Sequence, residues 1–207
     1  MSAARTAATG AKPATRGDLP PLPAAKPTRA DARRNYDLLV TAAREAFAEH
    51  GTDTSLEEIA RRAGVGIGTL YRRFPSRTAL LEAVYVDEIQ SVCDRAYGFH
   101  EKLEPFEALA AWMRSFVGYN VSKKSLSHEL MTALGKDSEF FKSCKLNVRD
   151  AGELLLNTAK EDGAVRSDLR LEDVLRLIGG FTMLPDIAPE QANRMLDIVI
   201  AGLRKTD

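Results

Sequence analysis

Cysteine is scarce in this chain of 207 residues: only Cys93 and Cys144 occur, and they form no CxxC pair. That number and spacing suggest no disulfide framework. Histidine is nearly as rare, and His50, His100 and His128 share no motif. His128-Glu129 opens like H-E-x-x-H, but Thr132 stands where the second zinc ligand belongs, so the sequence holds no metalloprotease site. Cys144 has no sequence-level base partner that marks it as a nucleophile. The glycines of Gly64-Val65-Gly66-Ile67-Gly68 lack the G-x-G-x-x-G spacing and the preceding strand of a nucleotide loop. No apolar run approaches the length that spans a membrane. The N-terminus has no apolar core of a signal peptide. These absences assign no catalytic residue, metal or cofactor, leave little behind an enzyme reading, and predict a cytoplasmic protein.

What is present is helical periodicity and an uneven charge. Net charge is zero, yet residues 1–77 hold 13 Lys/Arg against 8 Asp/Glu, and the remainder holds 16 against 21. A basic end on an acidic body fits the footprint of a nucleic-acid binder. Residues 1–30 are rich in Ala, Pro, Thr and Gly and carry five basic residues against Asp18. That composition predicts a disordered basic tail, read first as solvated and second as an arm touching phosphates. A first helix is expected over 30–50, with Leu38, Leu39, Ala42, Ala43, Ala46 and Phe47 as its apolar stripe and Gly51 as its end. Arg33 and Arg34 near its start are candidates for phosphate contact, with surface salt bridges as the alternative.

The organising stretch is 54–77, TSLEEIARRAGVGIGTLYRRFPSR. Thr54-x-x-Glu57 and Ser55-x-x-Glu58 are overlapping capping boxes, which predict a helix start. Leu56, Ile59, Ala60 and Ala63 then share one face. Gly64 suits a helix end that needs a left-handed backbone. A second helix follows over about 66–74, with Val65, Leu70 and Phe74 inward and Ile67, Gly68, Tyr71 and Arg72 outward. Two short helices about a glycine-bearing turn predict a helix-turn-helix whose second helix enters the major groove. Ile67 can meet a thymine methyl, Arg72 a guanine edge, and Gly68 permits close approach. Thr69 and Tyr71 lie on the same outward face. Thr54, Ser55, Arg73 and Arg77 are assigned to phosphates.

Residues 63–77, AGVGIGTLYRRFPSR, resemble the signature of TetR-type bacterial transcriptional repressors, A-G-V-S-x-G-T-L-Y-x-H-F-x-x-K. The resemblance runs from about residue 31 to residue 84, and again in GAVRSDLRLED. Gly66 replaces the usual serine and removes its hydroxyl, while Arg73 and Arg77 replace histidine and lysine and keep a donor. The resemblance implies an all-α fold: a DNA-binding unit over 31–77 and a larger helical body over 78–207 for effector binding and dimerisation. It also implies a small-molecule site in that body. The sequence offers Trp112, Met113, Phe116, Tyr119, Met131, Phe140, Phe141 and Cys144 as an apolar lining, with Asn147, Asn120 and His128 as polar handles.

Helices are expected over 77–99, from Pro105, over 126–134, 138–162, 171–184 and 190–204. The last two carry Leu171, Val174, Leu175, Ile178 and Phe181, then Met195, Leu196, Val199, Ile200 and Leu203. Gly179 and Gly180 sit mid-helix, where each costs about 1 kcal/mol relative to alanine. These faces predict a two-fold homodimer built as a four-helix bundle. The expected function is a DNA-binding regulator on a palindromic double-stranded operator, a repressor released by an apolar small-molecule effector. The alternative is a small-molecule-binding or enzymatic helical protein with a vestigial DNA-binding module.

Overall fold

The computed structural model describes residues 22–23 and 26–205. Residues 1–21, where most of the expected basic tail falls, lie outside the described residues. Lys26 is described, and it is exposed but paired. Its Nζ lies 2.9 Å from Asp87 and 3.3 Å from Asp37, which pins the chain just before the first helix.

Among the described residues there are nine helices and no strand. They are α1 (Ala30–His50), α2 (Leu56–Arg62), α3 (Ile67–Arg73), α4 (Arg77–Lys102), α5 (Pro105–Ser122), α6 (Lys124–Leu134), α7 (Glu139–Glu161), α8 (Leu171–Thr182) and α9 (Pro189–Leu203). Local chemistry sets most of these ends. Ser55 Oγ accepts the Glu58 amide at 3.2 Å and starts α2. The overlapping Thr54 box does not form, because the Thr54 hydroxyl donates back to the Gly51 carbonyl at 2.9 Å. Helix α2 ends in a Schellman motif: Val65 N–H donates to Ala60 O, Gly64 N–H donates to Arg61 O, and Gly64 takes φ 66°. Gly163 ends α7 the same way, with Ala164 N–H on Ala159 O and Gly163 N–H on Lys160 O. Ser76 Oγ accepts the Ala79 amide at 3.1 Å and starts α4. An isolated antiparallel bridge, Val165 to Arg204, closes the C-terminal end against the turn after α7.

Helix α4 is the axis of the fold and packs on α1, α5, α6 and α7. Its N-terminal half buries Leu80, Leu81 and Val84, and its C-terminal half buries Val92, Cys93 and Ala96. Around it the reading unit closes on Tyr36, Leu39, Ile59, Leu70 and Phe74. Tyr36, absent from the expected stripe of α1, stacks against Phe74 with ring centroids 5.5 Å apart. Leu38, placed in that stripe by spacing, is 41% exposed. It sits at the edge of the face set by positions 36, 39, 40, 43 and 46.

Two further expectations change. Trp112 and Met113 are fully buried core rather than cavity wall, and Trp112 Nε1 donates to the Val92 carbonyl of α4 at 3.2 Å. On α8 and α9, Leu171, Val174, Ile178, Phe181, Leu196, Ile200 and Leu203 are buried within the chain itself. They pack on α5 and α7, so the faces they form need no second copy. No helix among the described residues is long and apolar enough to cross a membrane.

Gly152 of α7 is the tightest point of the body. A Cβ there would lie 2.5 Å from Trp112 Cη2 and 2.8 Å from Leu171 Cδ2. Overpacking of this kind costs about 1–3 kcal/mol. Gly152→Ala is therefore expected to lower the thermal midpoint clearly, whereas Gly98→Ala, which meets nothing within 4 Å, leaves it unchanged or raises it; thermal unfolding followed by circular dichroism compares the two.

Candidate nucleic-acid interface and ligand cavity

Helix α3 presents one face outward because Leu70 and Phe74 anchor its other face in the core. Tyr71 is 46% exposed and Ile67 38%. Gly66, Gly68 and Arg72 are exposed with them, and Thr69 is half-buried. Arg72 Nη2 donates to Thr69 Oγ1 at 3.1 Å, which orients the guanidinium along the helix. Gly66 caps the helix with no side-chain bond, as the missing hydroxyl dictates. Arg33 and Arg34 are exposed on α1, and with Arg72 they make no ion pair among the described residues. By contrast Arg61 and Arg62 both donate to Glu58 at 2.8 Å, and Arg62 reaches Glu49 at 2.7 Å. Hydrogen bonds from those two arginines hold the Glu58 carboxyl at a pKa of about 2.

Four of the residues assigned to phosphates have internal duties. Arg77 Nη2 donates to the Thr54 carbonyl at 2.8 Å and also to the Thr52 carbonyl. Its Nε lies 3.8 Å from Glu129 of α6. Arg77 is thus a clamp joining the α1–α2 turn, the start of α4 and the body. Arg73 stacks its guanidinium over Tyr36 at 4.9 Å and Phe74 at 5.7 Å. Ser55 uses its hydroxyl as the α2 cap, and Thr54 bonds to Gly51. Sequence spacing signals that a donor is present, not that a nearer carbonyl already takes it.

The body holds a cavity of about 520 Å³, within the range of small-molecule sites. Tyr85 and Ile89 of α4, Phe116, Tyr119 and Asn120 of α5, Cys144 and Val148 of α7 and Leu175 of α8 line it. Lys145, Arg149, Glu172 and Arg176 surround it. A smaller chamber of about 170 Å³ adjoins, sharing Tyr85, Tyr119, Asn120 and Lys145 and adding Met131, Phe141 and four further polar side chains. Of the residues proposed from sequence, Phe116, Tyr119, Met131, Phe141 and Cys144 line these chambers, together with the polar handle Asn120. Trp112 lies behind Phe116, stacked at 5.7 Å. Phe140 packs on Tyr85 at 5.6 Å, and Asn147 donates to the Ser143 carbonyl, so neither is a lining group. His128 lines neither chamber but lies in a depression that shares Lys124, Ser127, Met131 and Met183 with the smaller one. Tyr85, Ile89 and Val148 were missed as lining residues because each reads as ordinary helical core by spacing.

The chamber chemistry is inert but polar. Burial pushes the Cys144 thiol up to about 12, which removes it as a nucleophile. Burial also raises the Tyr85 and Tyr119 phenols, so both remain neutral. The Tyr119 hydroxyl is out of solvent, with the neighbouring Tyr85 hydroxyl as its polar partner. Tyr85 lies beside it and adds to its shift.

A two-helix reading unit on a helical body with a cavity between its helices fits a helix-turn-helix regulator. The sequence comparisons agree. Residues 39–84 match the bacterial regulatory proteins of the tetR family, and residues 104–205 match the C-terminal domain of SbtR-like transcriptional regulators. The structure resembles a TetR transcriptional regulator of Streptomyces coelicolor at 38% identity and TM-score 0.71, over 83% of this chain and 99% of that one. It also resembles a TetR transcription regulatory protein of Mycobacterium vanbaalenii at 31% identity and TM-score 0.66, over 86% and 100%. An HTH-type transcriptional regulator of Staphylococcus aureus is 42% identical over 59 residues, 27% of this chain. This chain matches only 30% of that curated relative's length. The chain belongs to the TetR family of bacterial regulatory proteins.

Tyr71→Ala and Arg72→Ala are expected to abolish specific binding to DNA from the protein's own promoter while leaving the helical signal intact; a shift assay beside circular dichroism checks both. Arg77→Met is expected to behave differently, lowering the thermal midpoint as well, because hydrogen bonds to a charged group contribute about 1.5–3 kcal/mol each.

Proposed function

We propose that this protein is a cytoplasmic, homodimeric repressor that binds a palindromic operator and leaves it when a small molecule enters the body. The observation that carries the reading is that one rigid helix serves both sites. Only three residues separate the end of α3 from the start of α4, and the α4 side chains Tyr85 and Ile89 line the cavity. Tyr85 stands only about 12 Å along that helix from Arg77 at 1.5 Å per residue. A ligand against Tyr85 therefore acts near the reading head.

Two recognition helices must sit about 34–36 Å apart, or a multiple of that, to meet successive major grooves. A shift of α4 by an ångström or two, common in helix-shift switches, breaks the match. Glu129 supports the same coupling, since α6 contributes Met131 to the smaller chamber and holds Arg77 through Glu129. The Arg77 clamp then carries the displacement to the α1–α2 turn.

The dimer face proposed here differs from the residues first selected by spacing. The exposed positions Leu177 and Gly180 of α8, with Leu184 just beyond its end, follow one stripe, and on α9 Ile198 and Ala201 do the same. Leu177 is 59% exposed and Ile198 73%. Gly180 has open space where a Cβ would stand, so a partner helix can come close. Leu175, Gly179, Met195 and Val199 are half-buried along the border of this face.

Ile198→Asp is expected to yield a folded monomer in sedimentation at micromolar concentration and to lose operator binding, whereas a wild-type chain that sediments as a monomer refutes the dimer. Operator affinity measured with and without an effector tests the switch. Binding linkage requires the operator to weaken effector binding by the same factor. An effector that fills the cavity without changing operator affinity overturns the repressor mechanism.

A further inference from the structure

The two chambers carry an excess of positive charge. Six cationic side chains line them, Lys123, Lys124, Lys136, Lys145, Arg149 and Arg176, against the single carboxylate of Glu172. The surrounding body has the opposite balance, since residues 78–207 carry 16 Lys/Arg and 21 Asp/Glu. The excess at the chambers is therefore local and not a property of the domain.

Some of these charges are already matched. Lys123 lies 3.0 Å from Glu88, and Arg176 lies 2.6 Å from Glu172. Lys124 donates to the carbonyls of Leu184 and Pro185. Lys136, Lys145 and Arg149 have no carboxylate within 4 Å among the described residues. Lys145 is common to both chambers, together with Asn120, Tyr85 and Tyr119. These four residues mark the junction. The buried Tyr119 hydroxyl, paired with the Tyr85 hydroxyl, belongs to it. An acceptor placed at the junction takes a further hydrogen bond from this phenol pair. Beyond the junction the larger chamber is apolar, walled by Ile89, Phe116, Cys144, Val148 and Leu175.

We propose that the effector is an anionic amphiphile, with a carboxylate or phosphate head at the junction against Lys145, Asn120 and Tyr119, and an apolar tail in the larger chamber. This rests on the reading of the cavity as the effector site. It narrows that reading, because an uncharged apolar compound makes no use of Lys145 or of the phenol pair. The raised phenol pKa values keep both tyrosines as neutral donors to such a head.

The test is isothermal titration of the full chain with four probes that share one alkyl chain: decanoate, decyl phosphate, decan-1-ol and decylamine. The expected order places at least one anion about tenfold or more tighter than the alcohol, as one charge-assisted hydrogen bond supplies, with the amine weakest. The tighter of the two anions identifies the head group. Lys145→Met is expected to cut the anion's affinity about tenfold while leaving the alcohol's unchanged, and Lys145 is exposed, so the variant folds. Tyr119→Phe reduces the same preference by a smaller factor. Equal binding of the alcohol, tighter binding of the amine, no binding of either anion, or an undiminished anion preference in Lys145→Met overturns the proposal. Operator affinity measured with the bound anion separates the two readings: no change there removes the effector role, while the head-group preference is judged by the titrations alone.

Discussion

The structure depends on one continuous apolar face. Helix α4, with 26 residues and about 39 Å of length, contributes to two cores at once. Leu80, Leu81 and Val84 close the reading unit, and Val92, Cys93 and Ala96 close the body. An α-helix bends little, because displacing one turn disturbs the hydrogen-bond ladder of the next. Sharing it removes the freedom that a linker would give the reading unit. Domain boundaries in most chains fall in exposed segments crossed by few contacts. Here the boundary near residue 77 runs through a helix start, and the Arg77 clamp reinforces it from both sides.

The same residue type serves opposite ends in this short region. Arg61 and Arg62 are neutralised by Glu58 and Glu49. Arg73 lies over an aromatic pair. Arg77 binds carbonyls. Arg33, Arg34 and Arg72 keep their charge for the surface. The basic surplus of residues 1–77 is therefore concentrated on fewer side chains than composition suggests.

What was legible in the sequence was local. Ser55, Ser76, Gly64 and Gly163 mark helix ends through bonds within a few residues, so α2, α4 and α7 begin and end close to where spacing puts them. The outward face of α3 was legible for the same reason, since Leu70 and Phe74 fix its rotation. The cavity was legible only as a region. Trp112 and Phe116 lie one turn apart on α5, and nothing in their spacing tells core from wall. That distinction arises from Gly152 on α7, which lets the indole sink until Phe116 alone faces the opening. Hydrophobic periodicity likewise found the inner faces of α8 and α9 and not the outer ones. Ile198 and Leu177 interrupt polar faces, and a lone apolar residue among charges is a weak signal.

The burial of Trp112 has an optical consequence. It is the only tryptophan in the chain, and its indole lies in a fixed, water-free site with its N–H bonded to α4. Its stacking partner Phe116 forms part of the cavity wall. The chain thus carries a single indole fluorophore, one side chain away from any occupant and in direct contact with the helix that bears the reading head. Occupancy of the chamber and movement of α4 both change the surroundings of that one indole, so its emission reports on both without any added label.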